Sequence, residues 1–285
     1  MQRRTVLKVA GGAAIASQLG LAGAALATTA LAQDVAWFNA HPDDEILGPS
    51  IEVIKHMAAG LNCHMVWLTR GENTSARAVL NGTGENAFWN GRVHIPSQEG
   101  YAPLTTDDIG AARVRESETA VRALVAGLPG TLTFHYANPL LPDGFGGTGT
   151  TPTALAVAQA QAAMLAVLQS ITDGPVRLKG HSWADSDTDH NAVGQAIRNL
   201  STQYPDLYGD RTHFLRPMFW AKPPAGPTYA WSLPTSADMT NRVRNAILAF
   251  GAWAPTLGSF GIGEISVPGD FKLLNATPKS LFHHN

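Results

Sequence analysis

Residues 35–45 read Val35-Ala36-Trp37-Phe38-Asn39-Ala40-His41-Pro42-Asp43-Asp44-Glu45, an apolar run that passes straight into one imidazole and three carboxylates. Neighbouring carboxylates repel and raise one another's pKa, so such a cluster needs a physical reason. A divalent cation would supply one, and His41 and Asp44, three apart across a turn, can point at one centre. The alternative is that Asp43 and Asp44 cap and charge the first turn of a helix, as acids commonly do. Pro42 holds His41 out of the αR region and carries the fixed φ that suits a helix start.

A strand-to-helix junction is needed to display this cluster. The run before it reads as a buried strand, and Glu45-Ile46-Leu47, Ile51, Val53-Ile54 and Met57 continue with helical spacing. In open α/β sheets ligands bind at the carboxyl ends of strands, where a rigid sheet meets exposed helix N-termini. The sequence predicts further strands over 61–70, 132–136 and 176–181. Helices are expected over 107–127, 153–171 and about 236–253, with another opening at His190. Residues 213–220 form a strand candidate that Pro217 pushes toward an edge. No element is assigned to the Gly/Pro-rich tail 254–285, and His283 and His284 are expected to fray. Residues 73–106 are rich in Gly, Asn, Ser and Pro, with isolated Phe88, Trp89 and Tyr101. A connection this long suggests a lid or binding loop whose aromatics either stack on sugar rings or anchor the loop.

The cluster resembles the signature of the PIG-L (LmbE-like) family of zinc-dependent N-acetylglucosaminyl de-N-acetylases. Other matches span roughly residues 35–200: Leu68-Thr69-Arg70-Gly71-Glu72, Arg115-x-x-Glu118, the Asp143-Gly144 pair, and Asp189-His190-x-x-Val193-Gly194. The resemblance implies a Rossmann-like three-layer α/β/α fold with a mostly parallel sheet. It also implies that His190 joins His41 and Asp44 as the third ligand of Zn2+, and that Arg115 and Asp143 bind substrate. Arg113-x-x-Glu116 gives a second, overlapping register for the arginine. The pattern breaks at Asp187, three residues before the ligand, where the family often carries a histidine assigned to the oxyanion. A carboxylate cannot donate to an oxyanion unless protonated. Either His181 or the metal takes that role, or the substrate differs; His181, ending its strand, is the choice adopted.

Two imidazoles and one carboxylate are a set that catalytic zinc uses and magnesium does not favour. Zinc-activated water is then the nucleophile, and Asp43, beside ligand Asp44, is the general base. The expected function is a zinc-dependent amidohydrolase that removes the N-acetyl group from an N-acetylglucosamine-containing sugar or glycoconjugate. Two alternatives stay open: hydrolysis of another amide or ester on the same site, and a carbohydrate-binding relative without catalysis. The intact Asp43 speaks against the second.

At 285 residues the chain is long enough for one sizeable domain, expected over 33–285. Its net charge of −2 argues against a nucleic-acid partner. The single cysteine, Cys63, excludes an internal disulfide and a cysteine-rich zinc site, and its strand-like setting makes it a core side chain. Arg3-Arg4-Thr5-Val6-Leu7-Lys8, a weakly apolar stretch and Ala30-Leu31-Ala32 resemble a twin-arginine export signal over 1–32. Its removal predicts an exported protein without stable membrane insertion.

Overall fold

Why the first strand lies in the interior of the sheet follows from its composition. Val35, Ala36, Trp37 and Phe38 are all fully buried, the near-continuous apolar run of a parallel strand covered on both faces. In the computed structural model, which describes residues 32–83, 88–89 and 92–285, it forms β1 (Asp34–Asn39). The leader expected over 1–32 lies, except for Ala32, outside the described residues.

Six further strands complete the sheet: β2 (Asn62–Trp67), β3 (Thr131–Tyr136), β4 (Val176–His181), β5 (Arg211–Leu215), β6 (Ala230–Ser232) and β7 (Ser280–His283). Their order is β3-β2-β1-β4-β5-β7-β6. The first five are parallel, with Val35 opposite both Cys63 and Arg177, while β7 runs antiparallel to β5 and β6. This mostly parallel sheet between helical layers is the three-layer architecture expected.

Alternation along β1 divides the core in two. Val35 and Trp37 pack with Ile46, Leu47, Ile51, Val121, Leu124 and Val243. These come from α1 (Asp44–Leu47), α2 (Ser50–Ala58), α3 (Thr106–Val125) and α6 (Ala237–Phe250). Ala36 and Phe38 point the other way, toward Ala160, Met164, Val193 and Ile197 of α4 (Ala154–Ile171) and α5 (Thr188–Gln203). The chain therefore leaves β1 on one face and β4 on the other. A crevice opens where these adjacent strands end, which is where open α/β sheets place ligands.

Two expectations for the C-terminal third are corrected. The strand at 213–220 is interior: it ends at Leu215, and Pro217 opens a single 3₁₀ turn beyond it, so the ring removes no ladder hydrogen bond. The unassigned tail forms α7 (Ile262–Ser266), α8 (Pro268–Ala276) and β7. Pairing on both sides of β7 buries His283, whose ring stacks on His213 and whose Nε2 lies 2.7 Å from Ser182 Oγ. It is not frayed.

Candidate metal centre and active site

Asp43 sits at the Ncap position of α1 yet makes no side-chain cap bond. Its φ of 145° is unusual for a residue with a Cβ, a strain that persists only where the surroundings enforce it. Glu45 and Arg113 do so. The Glu45 carboxylate accepts from the Asp43 amide at 3.1 Å, from Trp67 Nε1 at 3.2 Å and from the Ser117 hydroxyl. From α3, Arg113 donates to Asp43 Oδ2 at 2.7 Å, to the Pro42 carbonyl at 3.1 Å and to the Gly71 carbonyl at 2.6 Å. The carboxylate of Asp43 is thus aimed by a buried guanidinium rather than spent on the helix end. Capping does not explain it.

Asp44 turns back on its own loop, where its Oδ2 accepts from the His41 amide at 2.7 Å. His190, on the first turn of α5, reaches the same point from the other face of the sheet. His41 Nδ1 and His190 Nε2 are 3.1 Å apart, and they lie 3.5 and 3.3 Å from oxygens of Asp44. Ligands about 2.0–2.1 Å from a tetrahedral zinc stand roughly 3.3–3.4 Å from one another, so the three fit such an ion.

The remaining ring nitrogens fit it as well. His190 Nδ1 faces Asp185 Oδ2 at 3.1 Å, and His41 Nε2 faces Asp143 Oδ1 at 3.1 Å and Asp189 Oδ2 at 3.3 Å. A carboxylate behind each imidazole fixes its tautomer and leaves the opposite lone pair for a cation. Two other groupings, His181-Asp185-His190 and His41-Asp143-Asp189, also bring ligand atoms close together. In both, the acids are already engaged: Asp185 holds the Asp187 amide, and Asp189 holds the amides of Gly144 and Gly146. The His41-Asp44-His190 set is the one whose two imidazoles are held from behind by these acids.

The electrostatics express the same demand for positive charge. Burial works against a charged His190, but the carboxylates of Asp44, Asp187 and Asp185 outweigh it and hold the ring up at about 10. Burial also opposes charge on His41, and Asp143, Asp189 and Asp44 raise it well above the usual imidazole range. Protons stand where a cation would. Asp43 is pushed up to about 6 by burial, against the pull of Arg113.

A cavity of about 270 Å³ opens over this cluster, walled by Asp43, Asp44, Arg113, Asp143, Asp187 and Arg216, with Asn73, Thr74 and Ser266 at its rim. Of the residues expected to bind substrate, Asp143 is here, its second oxygen accepting from the Asn73 amide at 2.7 Å. Arg115 is not. Its guanidinium donates to the Gly258 carbonyl at the surface. Successive helical residues turn by about 100°, so positions 113 and 115 face nearly opposite ways, and the overlapping Arg113-x-x-Glu116 register is the one that points inward. The apolar stripe of α3 carried the signal: Ile109, Ala112, Ala120 and Val121 share a face with 113 and 116, not with 115.

His181 is close but turned aside. Its Nε2 lies 3.1 Å from the Ala40 amide and 3.2 Å from Asp44 Oδ2. An amide N–H can only donate, so this nitrogen is an acceptor and offers no proton to an oxyanion. The ring stacks on His190 at 3.8 Å and lines a hole of about 10 Å³ beneath Asp44 rather than the open cavity. Asp187 is the Ncap of α5, accepting from the amides of Asp189 and His190. Tyr101 anchors its loop, donating to the Leu80 carbonyl at 2.6 Å and packing on Phe260. Residues 84–87 and 90–91 and the rings of Phe88 and Trp89 lie outside the described residues. Arg216, Asp185 and Glu45 carried no assigned role in the sequence reading.

A profile of the family PIG-L, described as GlcNAc-PI de-N-acetylase, matches residues 36–201. No curated protein matches the chain. Among solved structures, the fold is similar to that of a triple mutant of a deacetylase from the teicoplanin biosynthetic pathway, with a TM-score of 0.57 and 10% identity over 88% of this chain and 97% of that one. The deacetylase of the A40926 pseudoaglycone is comparable, with a TM-score of 0.55 and 11% identity over 88% and 96%. A teicoplanin-bound deacetylase gives 0.51 and 12% over 88% and 98%. At these identities the likeness is one of fold.

Proposed function

The chain belongs to the PIG-L family of de-N-acetylases, and from that premise we propose that it is a zinc-dependent hydrolase that removes the N-acetyl group of an N-acetylglucosamine-containing substrate. The observation that carries this reading is the pairing of Asp43 with Arg113 beside three ligand atoms that fit a tetrahedral ion. A binding protein has no use for a strained, buried acid at that place.

Zinc held by His41, Asp44 and His190 would supply Lewis acidity, lowering the pKa of a water to about 7 and polarising the acetyl carbonyl. Asp43 removes a proton from the water as its oxygen adds to the acetyl carbon. The same carboxyl returns a proton to the amide nitrogen as the C–N bond breaks, releasing acetate and a free amine. Arg113, itself anchored by donating to two backbone carbonyls, fixes the Asp43 carboxylate. A cavity near the lower end of the ~300–1,000 Å³ typical of small-molecule sites suits one sugar ring, the rest of a glycoconjugate remaining outside. Asp143, with one oxygen on His41 and the other on the Asn73 amide, sets the floor on which that ring rests.

Zinc-loaded protein is expected to generate free amine from N-acetylglucosaminides, tested as the free sugar, chitooligosaccharides, a glycolipid and an acylated glycopeptide. Cleavage of phosphoesters with no amide hydrolysis would overturn the reading. We also propose that residues 1–32 direct export and are removed, so the exported form begins at Gln33 by mass.

A further inference from the structure

The reaction proposed above needs a donor for the oxyanion, and Asp187 stands where a histidine would serve. Its two oxygens are differently occupied. Oδ1 caps α5, while Oδ2 faces Arg216 Nη2 at 3.5 Å. Arg216 comes from another element, the residue that follows β5, and it lines both the open cavity and the small hole beneath Asp44.

At least one of its donors is uncommitted among the described residues. A guanidinium carries five N–H groups. Among the described residues Arg216 Nε is buried without a hydrogen-bond partner, and the Asp187 contact is longer than a good hydrogen bond. The other cation of the cavity, Arg113, commits both terminal nitrogens to Asp43 and two carbonyls, only its Nε lacking a partner among the described residues, and His181 Nε2 is spent on the Ala40 amide. A buried, orphaned guanidinium N–H is costly to maintain and calls for an explanation. Burial works against its charge, and the carboxylates of Asp185, Asp44, Asp187 and Asp270 offset that, of which Asp187 alone comes within ion-pair distance.

We propose that Arg216 donates to the tetrahedral oxyanion in place of the missing histidine, with Asp187 tethering it at the cavity wall. The replacement exchanges a donor at the start of α5 for one just beyond the end of β5. Asp187 thereby serves both as helix cap and as anchor. This rests on the deacetylase reading, and it adds a residue to it.

The test compares wild type with Arg216→Met and Arg216→Lys in three measurements: steady-state deacetylation, zinc content, and calorimetric affinity for a methylphosphonamidate analogue of N-acetylglucosamine, a tetrahedral anion. Arg216→Met is expected to lower kcat by about 100- to 1,000-fold, the effect of removing one oxyanion donor. KM should stay within about threefold, the phosphonamidate should bind weaker by a similar factor to kcat, and zinc should stay near one per chain. Should Arg216→Met fail to fold, Arg216→Lys decides, because it keeps the charge among the acids but loses the fork. At least a tenfold loss in kcat and in phosphonamidate affinity is then expected. Wild-type values in the folded variant, or a rise in KM alone, overturn the proposal, the latter assigning Arg216 to ground-state binding. A wild type that releases no acetate overturns both this proposal and the deacetylase reading; an active wild type with an indifferent Arg216 overturns this one only.

Discussion

Asp43 combines a left-handed backbone, a buried carboxylate and one guanidinium partner, and each feature has a consequence that can be measured. Asp43→Asn keeps the shape and removes the base, so kcat should fall by about 10²–10⁴-fold while zinc remains bound. Because the group is held at about 6, its basic form is lost as pH falls through that value. A zinc ion beside it would lower that value, so kcat/KM of the loaded protein should show an acid limb at or below pH 6, absent from the residual activity of Asp43→Asn. Arg113 and Arg115 separate the two readings of the helix motif. Arg113→Met leaves a buried acid unpaired and should cost about 3–5 kcal/mol of stability in urea unfolding, whereas Arg115→Ala, at the surface, should stay within about 0.5 kcal/mol. The clustering of His41, Asp43 and Asp44 was legible from their types and spacing, although capping was an alternative, and His190 joined them only through its resemblance to the family motif. Arg113 was legible only through the phase of its helix. Arg216 was not, since nothing local marks a residue whose partners come from three other segments.

At the level of elements, two strand ends and two helix starts carry the centre: β1 into α1 and β4 into α5. The glycine four residues after His190 has a packing reason. A Cβ on Gly194 would sit 2.3 Å from the Trp183 amide nitrogen, in the turn between β4 and α5. Backbone cannot give way as a flexible side chain can, so Gly194→Ala must push α5 off the sheet and carry His190, one turn earlier, away from His41 and Asp44. The expected result is a destabilisation of about 1–3 kcal/mol and zinc affinity weakened by about 10–100-fold, as for lost support of a ligand, read by chelator competition. Unchanged zinc affinity would show that α5 is not what aims His190. Of the parallel strands, β1 and β2 were legible as buried apolar runs with a turn after each, whereas β3, with no fully buried residue, showed only as a short run between turns. The tail was not, because β7 is only four residues long and its burial depends on β5 and β6 lying on either side.

Across the whole molecule, the acid-rich centre makes stability depend on pH and metal together. His190 and His41 have folded pKa values raised above the imidazole value of about 6.5. Between that value and about 10 the native state holds protons that the unfolded chain releases, so stability must fall as pH rises through this window. For chelator-treated protein, Tm should decline from pH 7 to 9.5, and one equivalent of zinc should raise Tm most at the alkaline end, where the cation replaces those protons. The architecture could be read from the order of strands and helices, but its charge balance could not, because burial sets it. The most direct test is to strip the protein of metal and titrate zinc back while following acetate release from an N-acetylglucosaminide. The expected curve rises linearly from zero and stops at one zinc per chain, and His190→Ala stays flat and takes up no zinc at those concentrations. Acetate release at full rate from the stripped protein, or from His190→Ala, would contradict a reaction centred on His41, Asp44 and His190.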